Sequence, residues 1–208
     1  MTSTLKTFLI CLAACFAAGC AGNLRKSPPA EVYDFGLPVQ RVAESGRWSN
    51  VALEVKASYW LDSSGIDYRL LYESSLKLRS YATSRWAGAP ALLLSQRLRQ
   101  QLGLVSAGVQ TACLLRFELH EFSQLFDTPQ HSRGILQGSA SVFASGHRLV
   151  AERQFAIEQP APSADARGGV SALVSASEQL GQQLTVWLRD LEKRGTLESC
   201  RSTVAESQ

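Results

Sequence analysis

Long apolar runs, clustered charge and metal-spaced histidines are all scarce in this chain of 208 residues. The uncharged stretch Thr7–Gly19 has thirteen residues. A helix needs about 20 to cross the ~30 Å hydrocarbon layer, so this stretch does not read as a membrane span. Basic residues number 21 against 18 acidic ones, for a formal charge of +3, and no Lys/Arg block stands out. That balance excludes a strongly basic nucleic-acid binder, and no nucleic acid is expected as a partner. The three histidines, His120, His131 and His147, lie near no second His, Cys or carboxylate at ligand spacing, so no zinc signature is present and no metal is expected. There is no Gly-x-Ser-x-Gly elbow, Walker loop or dinucleotide fingerprint; Gly168-Gly169 stands before a helical pattern without the rest of a phosphate motif. No catalytic residues are assigned, and the chain is expected not to be an enzyme. With 45% apolar and 19% charged residues it is also too hydrophobic to be disordered.

What is present begins at the N-terminus. Lys6 is the only charge before Arg25, and the apolar segment that follows it ends in Ala17-Ala18-Gly19-Cys20. This fits a signal peptide over residues 1–19, with small residues before the cut. Small residues directly before a cysteine resemble the bacterial lipobox, in which the thiol is diacylated and becomes the first mature residue. Leu12-Ala13-Ala14-Cys15 matches that pattern letter by letter but leaves an apolar core of only a few residues, so Cys20 is the expected lipidation site. Its N-acyl and diacylglycerol lipid is the only non-protein group expected, with no cofactor besides. Two or more chains, each contributing about 0.8 kcal/mol per buried CH₂, make a stable anchor. Ala21 stands where an aspartate would favour inner-membrane retention, which by analogy with sorting rules points to the outer membrane, facing the periplasm. Residues 20–30, with Pro28-Pro29 near their end, read as the lipidated N-terminus and a flexible tether.

Residues 31–195 carry the periodic patterns of one domain, followed by a polar tail over 196–208. Val32–Phe35 is a short strand candidate, and Val51–Ala57 alternates cleanly. Tyr68–Tyr72 and Leu76–Tyr81 suggest a hairpin through Glu73-Ser74-Ser75. Pro90 suits a first helical position; Leu93, Leu94, Leu98 and Leu102 follow helical spacing up to Gly103, with Arg97, Arg99 and Gln100 expected to face water. Cys113, Leu115, Phe117 and Leu119 alternate with polar neighbours in the strongest strand of the chain. Leu136–Phe143 and Leu149–Ile157 are two more strands, joined around Ser145-Gly146-His147. A loop over Gln159–Arg167 leads to a long helix whose stripe is Val170, Leu173, Val174, Leu180, Leu184, Trp187, Leu188 and Leu191, closed by Gly195. The order is not a strict βαβα alternation. The expectation is an α+β single domain with a mixed sheet of six to seven strands and two main helices.

Two cysteines remain in the body, Cys113 and Cys200. An oxidising periplasm would allow a disulfide between them. Cys113 on an apolar strand face equally suits a free thiol behaving as a small hydrophobe, and both readings stand.

Several short motifs recur in a telling order. They are Tyr33-Asp34-Phe35-Gly36, Leu61-Asp62, Ile66-Asp67-Tyr68-Arg69, Tyr81, and Arg85-Trp86-Ala87 with Pro90, Leu98 and Leu102. After them come Phe122-Ser123-Gln124-Leu125-Phe126-Asp127 and Asp165-Ala166. Together with the lipobox, in which Ala17 replaces the usual Leu, this resembles the ABC-type transport auxiliary lipoprotein family that includes the PqiC-like proteins. The resemblance implies an outer-membrane lipoprotein that serves an ABC system for intermembrane lipid (phospholipid) transport. It implies docking to an MCE-domain, MlaD-like partner, with a homo-oligomer as one form of the assembly. It marks Asp67, Arg69, Arg85, Trp86, Phe122 and Phe126 as candidate partner or oligomer contacts. Asp67 and Arg69 flank Tyr68 and should share the opposite face, as an ion pair near a sheet edge or a subunit contact. Arg85 and Trp86 would lead into the helix at Pro90, and Phe122 and Phe126 would leave the strand where its alternation breaks after His120. Trp86 and the two phenylalanines have a packing reading as well, as cover for the core. The competing functions are a stand-alone periplasmic lipid-binding carrier and, less favoured, an envelope hydrolase.

Overall fold

The computed structural model describes residues 29–37, 42–44, 46–108 and 111–200. Signal segment, lipobox, Cys20 and most of the tether lie outside the described residues, as do residues 201–208. The elements run β1 (Glu31–Tyr33), β2 (Val51–Ala57), β3 (Gly65–Leu70), β4 (Arg79–Trp86), α1 (Pro90–Leu102), β5 (Val105–Ser106), β6 (Cys113–Thr128), β7 (His131–Ala144), β8 (Arg148–Pro160) and α2 (Ala166–Lys193). The expected class is found, an α+β domain with a mixed sheet and two main helices. The sheet has eight strands rather than six or seven, two of them only two and three residues long.

The long strand β6 organises the rest. One of its edges pairs antiparallel with β7 along nearly its whole length, and β7 pairs antiparallel with β8. The other edge is shared. β2 runs parallel beside its first half, from Val51 opposite Cys113 to Ala57 opposite Leu119. β3 runs parallel beside its second half, with Tyr68 opposite Gln124 and Leu70 opposite Phe126. β5 extends the sheet from β2, while β4 and then β1 extend it from β3. The Thr128 end of β6 is called the upper pole here and the Cys113 end the lower pole. The β3–β4 and β6–β7 connections lie at the upper pole, and the β7–β8 turn at the lower.

A register shift between Leu119 and Glu121 makes His120 the extra residue of a β-bulge. Below it Cys113, Leu115, Phe117 and Leu119 face the core; above it the core-facing positions become Phe122, Gln124 and Phe126. The strand therefore does not end where its alternation breaks. It changes parity, because one unpaired residue rotates every later side chain to the other face.

Helix α1 begins with proline and ends at Gly103, whose φ of +69° places it in the left-handed region that glycine tolerates. Its Leu94, Leu98 and Leu102 are fully buried at four-residue spacing. Helix α2 starts at the upper pole, where the Asp165 carboxylate accepts from the Gly168 N–H at 2.7 Å, an N-cap. It then descends over β7, β8 and β6. Its seat is shaped by small residues: a Cβ at Gly134 of β7 would come within 2.9 Å of the Ala172 Cβ and of the Leu173 nitrogen. Phe155 of β8 meets Trp187 at 6.1 Å between ring centres.

Four expectations shift. Leu76 and Leu78 are not strand residues; they lie in the β3–β4 connection, and Leu76 is 90% exposed. Arg85 and Trp86 end β4 rather than entering a helix. Arg97 is buried, against the expectation that it faces water. The folded unit also runs past residue 195: Leu197 and Cys200 are buried, and the Cys200 and Cys113 sulfurs are bonded, with 5.2 Å between the Cα atoms. The alternative left open by the sequence thus resolves as a disulfide tying the chain after α2 to the start of β6.

Candidate functional site

The residues singled out by the family resemblance all fall on the upper half of the sheet, around β3, β4 and the second half of β6. The structure divides them between its two faces.

On the core face Trp86, Phe122 and Phe35 form one aromatic cluster. Trp86 and Phe122 lie 5.8 Å apart between ring centres, Phe35 and Trp86 5.6 Å, and Phe35 and Phe122 6.0 Å. Trp86 and Phe122 are each 1% exposed. Phe126 is buried and stands edge-on to Tyr68 at 5.8 Å. As contacts for a partner these three are corrected: the bulge at His120 turns the phenylalanines inward, and β4 carries Trp86 to the same side, so none presents a surface. Beside them lies a polar network. The Tyr81 hydroxyl donates to Gln124 Oε1 at 2.9 Å, and Gln124 Nε2 donates to Ser132 Oγ at 2.8 Å. Burial pushes the Tyr81 phenol well above its ordinary range. Gln124 is fully buried beneath α2, and a Cβ on Gly169 would strike its amide oxygen at 2.1 Å. Gly169 thus lets the helix close over the network.

Arg97 belongs to this half too, although sequence reasoning placed it in water. From α1 its guanidinium donates to the carbonyl of Phe35, to that of Leu37 at 3.3 Å and to that of Gly36 at 3.4 Å. Glu178 of α2 stands 3.7 Å away. A buried guanidinium needs acceptors in a planar fan, and the segment just after β1 supplies them. The clasp holds Phe35 over Trp86. An arginine on an otherwise leucine-lined helix stripe was the available signal.

On the outer face Asp67 and Arg69 share one side of β3, as their flanking of Tyr68 implies, but they are not bound to each other. The Arg69 guanidinium pairs with Glu121 at 3.2 Å, and Asp67 accepts from the Ser80 hydroxyl. β3 is not a sheet edge, since β4 and β6 flank it. Asp67 is 6% exposed, and burial pushes its carboxyl above the usual range against the opposing pull of the Ser80 hydrogen bond. It too offers little to a partner. Arg69 is half-buried and Arg85 exposed, so of the six candidates these two retain accessible charge.

Two of the surface clefts among the described residues border ion-paired side chains. One, of about 180 Å³, lies at the lower pole between the Gly46–Val51 turn and Glu192. There Glu192 accepts from Trp48 Nε1 at 2.8 Å and from Arg47 Nε at 2.9 Å. The other, of about 230 Å³, lies beside the Arg97 clasp, along Asp34, Gly36, Gln96 and Gln100. Among the described residues no group of three or more His, Cys, Asp or Glu is gathered as for a metal, and no helix is long and apolar enough to cross a membrane.

No protein-family model matches the chain. No curated protein matches it either. Solved structures do. A crystal structure of a Xanthomonas campestris protein of the family DUF330 aligns over 80% of this chain and 99% of its own, with a TM-score of 0.66 at 19% identity. A crystal structure of an uncharacterized protein aligns over 77% of this chain and 99% of its own, with a TM-score of 0.60 at 17% identity. A candidate lipoprotein from Caulobacter crescentus aligns over 48% of this chain and 83% of its own, with a TM-score of 0.35 at 16% identity, too weak a superposition to carry an argument. At these identities what is shared with the first two is the fold: this chain has the architecture of a DUF330 protein.

Proposed function

We propose that the chain is an outer-membrane lipoprotein, anchored through Cys20 and facing the periplasm, that serves as the non-catalytic auxiliary component of an ABC-type intermembrane lipid transport system. Its partner in this reading is an MCE-domain, MlaD-like protein. The observation that carries the reading is the join of two features in one chain. A short apolar leader ending in Ala-Ala-Gly-Cys precedes a domain with the DUF330 architecture. The motifs that resemble the auxiliary lipoproteins lie largely in the core of this domain, with Trp86 and Phe122 buried and Tyr81 packed against the same cluster, and so support the reading through packing rather than through an exposed site.

Mass spectrometry of the mature N-terminus, combined with a pull-down from envelope membranes, tests it. Triacylated Cys20 and co-purification of an MCE-domain protein are the expected results. An unmodified N-terminus removes the anchor. Repeated absence of an MCE partner removes the adaptor role, and a stoichiometric bound phospholipid in its place marks a carrier.

A further inference from the structure

The register of β1 fixes the end of the domain from which the chain leads back toward Cys20. β1 runs parallel to β4, with Glu31 opposite Ser84 and Tyr33 opposite Trp86. β4 itself descends from Arg79, which pairs with Tyr68 at the base of the β3–β4 connection. The residues before Glu31 therefore join the sheet from its upper side. Ser84 lies five residues below Arg79, about 17 Å along a strand. The eleven residues from Cys20 to Glu31 can span up to ~35–40 Å, roughly twice that height. An anchor at Cys20 therefore leaves the upper pole free to reach the bilayer.

That pole carries an apolar tip. In the β3–β4 connection Leu76 is 90% exposed, Tyr72 46% and Leu78 37%. Three large apolar side chains on one eight-residue connection are unusual at a soluble surface. Between them Lys77 is exposed, while Glu73 is paired with Arg79 and leaves the Lys77 ammonium as the uncompensated charge of the tip. Leucines for the acyl boundary, a tyrosine for the headgroup layer and a lysine for lipid phosphate make an interfacial composition. The first half of the connection is tied to the sheet: the Leu71 N–H bonds to the Phe126 carbonyl at 2.9 Å, and the Glu73 and Ser74 N–H groups bond to the Leu70 carbonyl at 3.0 and 2.9 Å.

We infer that this connection is a second membrane contact: Tyr72, Leu76 and Leu78 sit in the interface of the bilayer that holds the anchor, and orient the domain with its upper pole toward the lipid. The inference rests on the proposed anchoring through Cys20 and adds the orientation and the residues that set it. The lower pole, with the disulfide and the β7–β8 turn, then points into the periplasm.

The test uses the mature, full-length protein purified from membranes and reconstituted into phosphatidylethanolamine–phosphatidylglycerol vesicles. A polarity-sensitive fluorophore is placed on Leu76→Cys and, for comparison, on Ser145→Cys at the lower pole; both sites are exposed. The expected result is severalfold brighter emission at position 76 than at 145, with quenching of the former alone by lipids brominated along their acyl chains. Water-like, unquenched emission at position 76 from protein that floats with the vesicles overturns the inference and leaves the anchor standing, with the tip then free for a protein partner. Protein that fails to float overturns the anchor and this orientation with it.

Discussion

Below the bulge at His120, β6 sends Cys113, Leu115, Phe117 and Leu119 into an apolar core, roofed by the leucines of α1 and the lower half of α2 and tied to the chain's end by a disulfide. Above the bulge the same strand sends Phe122, Gln124 and Phe126 into a core where aromatic rings lie beside a buried glutamine, a tyrosine hydroxyl and the Arg97 guanidinium. The lower half can be held by any set of side chains of suitable volume, since dispersion and the hydrophobic effect are non-directional. In the upper half the Tyr81 hydroxyl, the Gln124 amide and the Arg97 guanidinium each fix a partner at hydrogen-bond distance, so this half prescribes geometry. Most of the residues on which the family resemblance rests gather there, and the segment just after β1 is clasped there.

The largest effect expected is from Phe122→Ala, which opens the aromatic cluster and should cost about 3–5 kcal/mol in urea unfolding. A loss much below that would mean that the upper core collapses as readily as an ordinary apolar one. Breaking the lower tie with Cys200→Ser should cost about 2–4 kcal/mol, mostly through the denatured state, since the bridge closes a long loop. Near-equal stability of the oxidised and reduced protein would show that packing of Leu197 alone holds that end. Arg97→Leu should cost about 2–3 kcal/mol, because the Phe35–Leu37 carbonyls lose a charged donor without access to water. Its signature is local: hydrogen exchange should speed at the Ala87 amide, which bonds to the Tyr33 carbonyl, and leave β6–β7 amides protected. Uniform loss across the sheet would refute the division into halves.

The smallest expected effect is Asp165→Ala, about 1 kcal/mol for the lost cap of α2. The Gly168 N–H, with help from the Ser163 hydroxyl, holds the Asp165 carboxyl below its ordinary range. A depressed carboxyl stabilises the fold above its unfolded pKa and loses that contribution as pH falls through its folded one. The gap between wild type and variant should therefore be full at neutral pH and close on acidification. Asp67 carries the opposite sign: its raised carboxyl makes the fold less stable as pH climbs from the ordinary carboxylate range through the raised value.

Much of the architecture was legible beforehand where periodicity runs uninterrupted. Helix α2 was readable from its leucine and valine stripe, α1 from Pro90 and Gly103, and the β7–β8 hairpin from Ser145-Gly146-His147, because each of these signals is local. The candidate site was legible as a set of positions and misjudged in its orientation. Alternation up to Leu119 carries no mark that His120 is inserted, so Phe122 and Phe126 look like residues beyond the exit of a strand that runs on to Thr128. Arg97 looked solvated because helical spacing gives a residue's angle on its helix, not whether distant carbonyls will arrive to cover it.

The amino-acid order by itself thus determined most of the segments that become strands and helices, since these depend on neighbours a few residues away. Only the tertiary structure decided which candidates are surface. It also joined Cys113 to Cys200, buried Arg97 beneath the Phe35–Leu37 carbonyls, and set the apolar hairpin tip on the side from which the chain enters. The physical reason is range: backbone preference and amphipathic spacing act within a turn or two, whereas a bulge, a long-loop disulfide and a charged clasp take effect only when residues far apart in the chain meet.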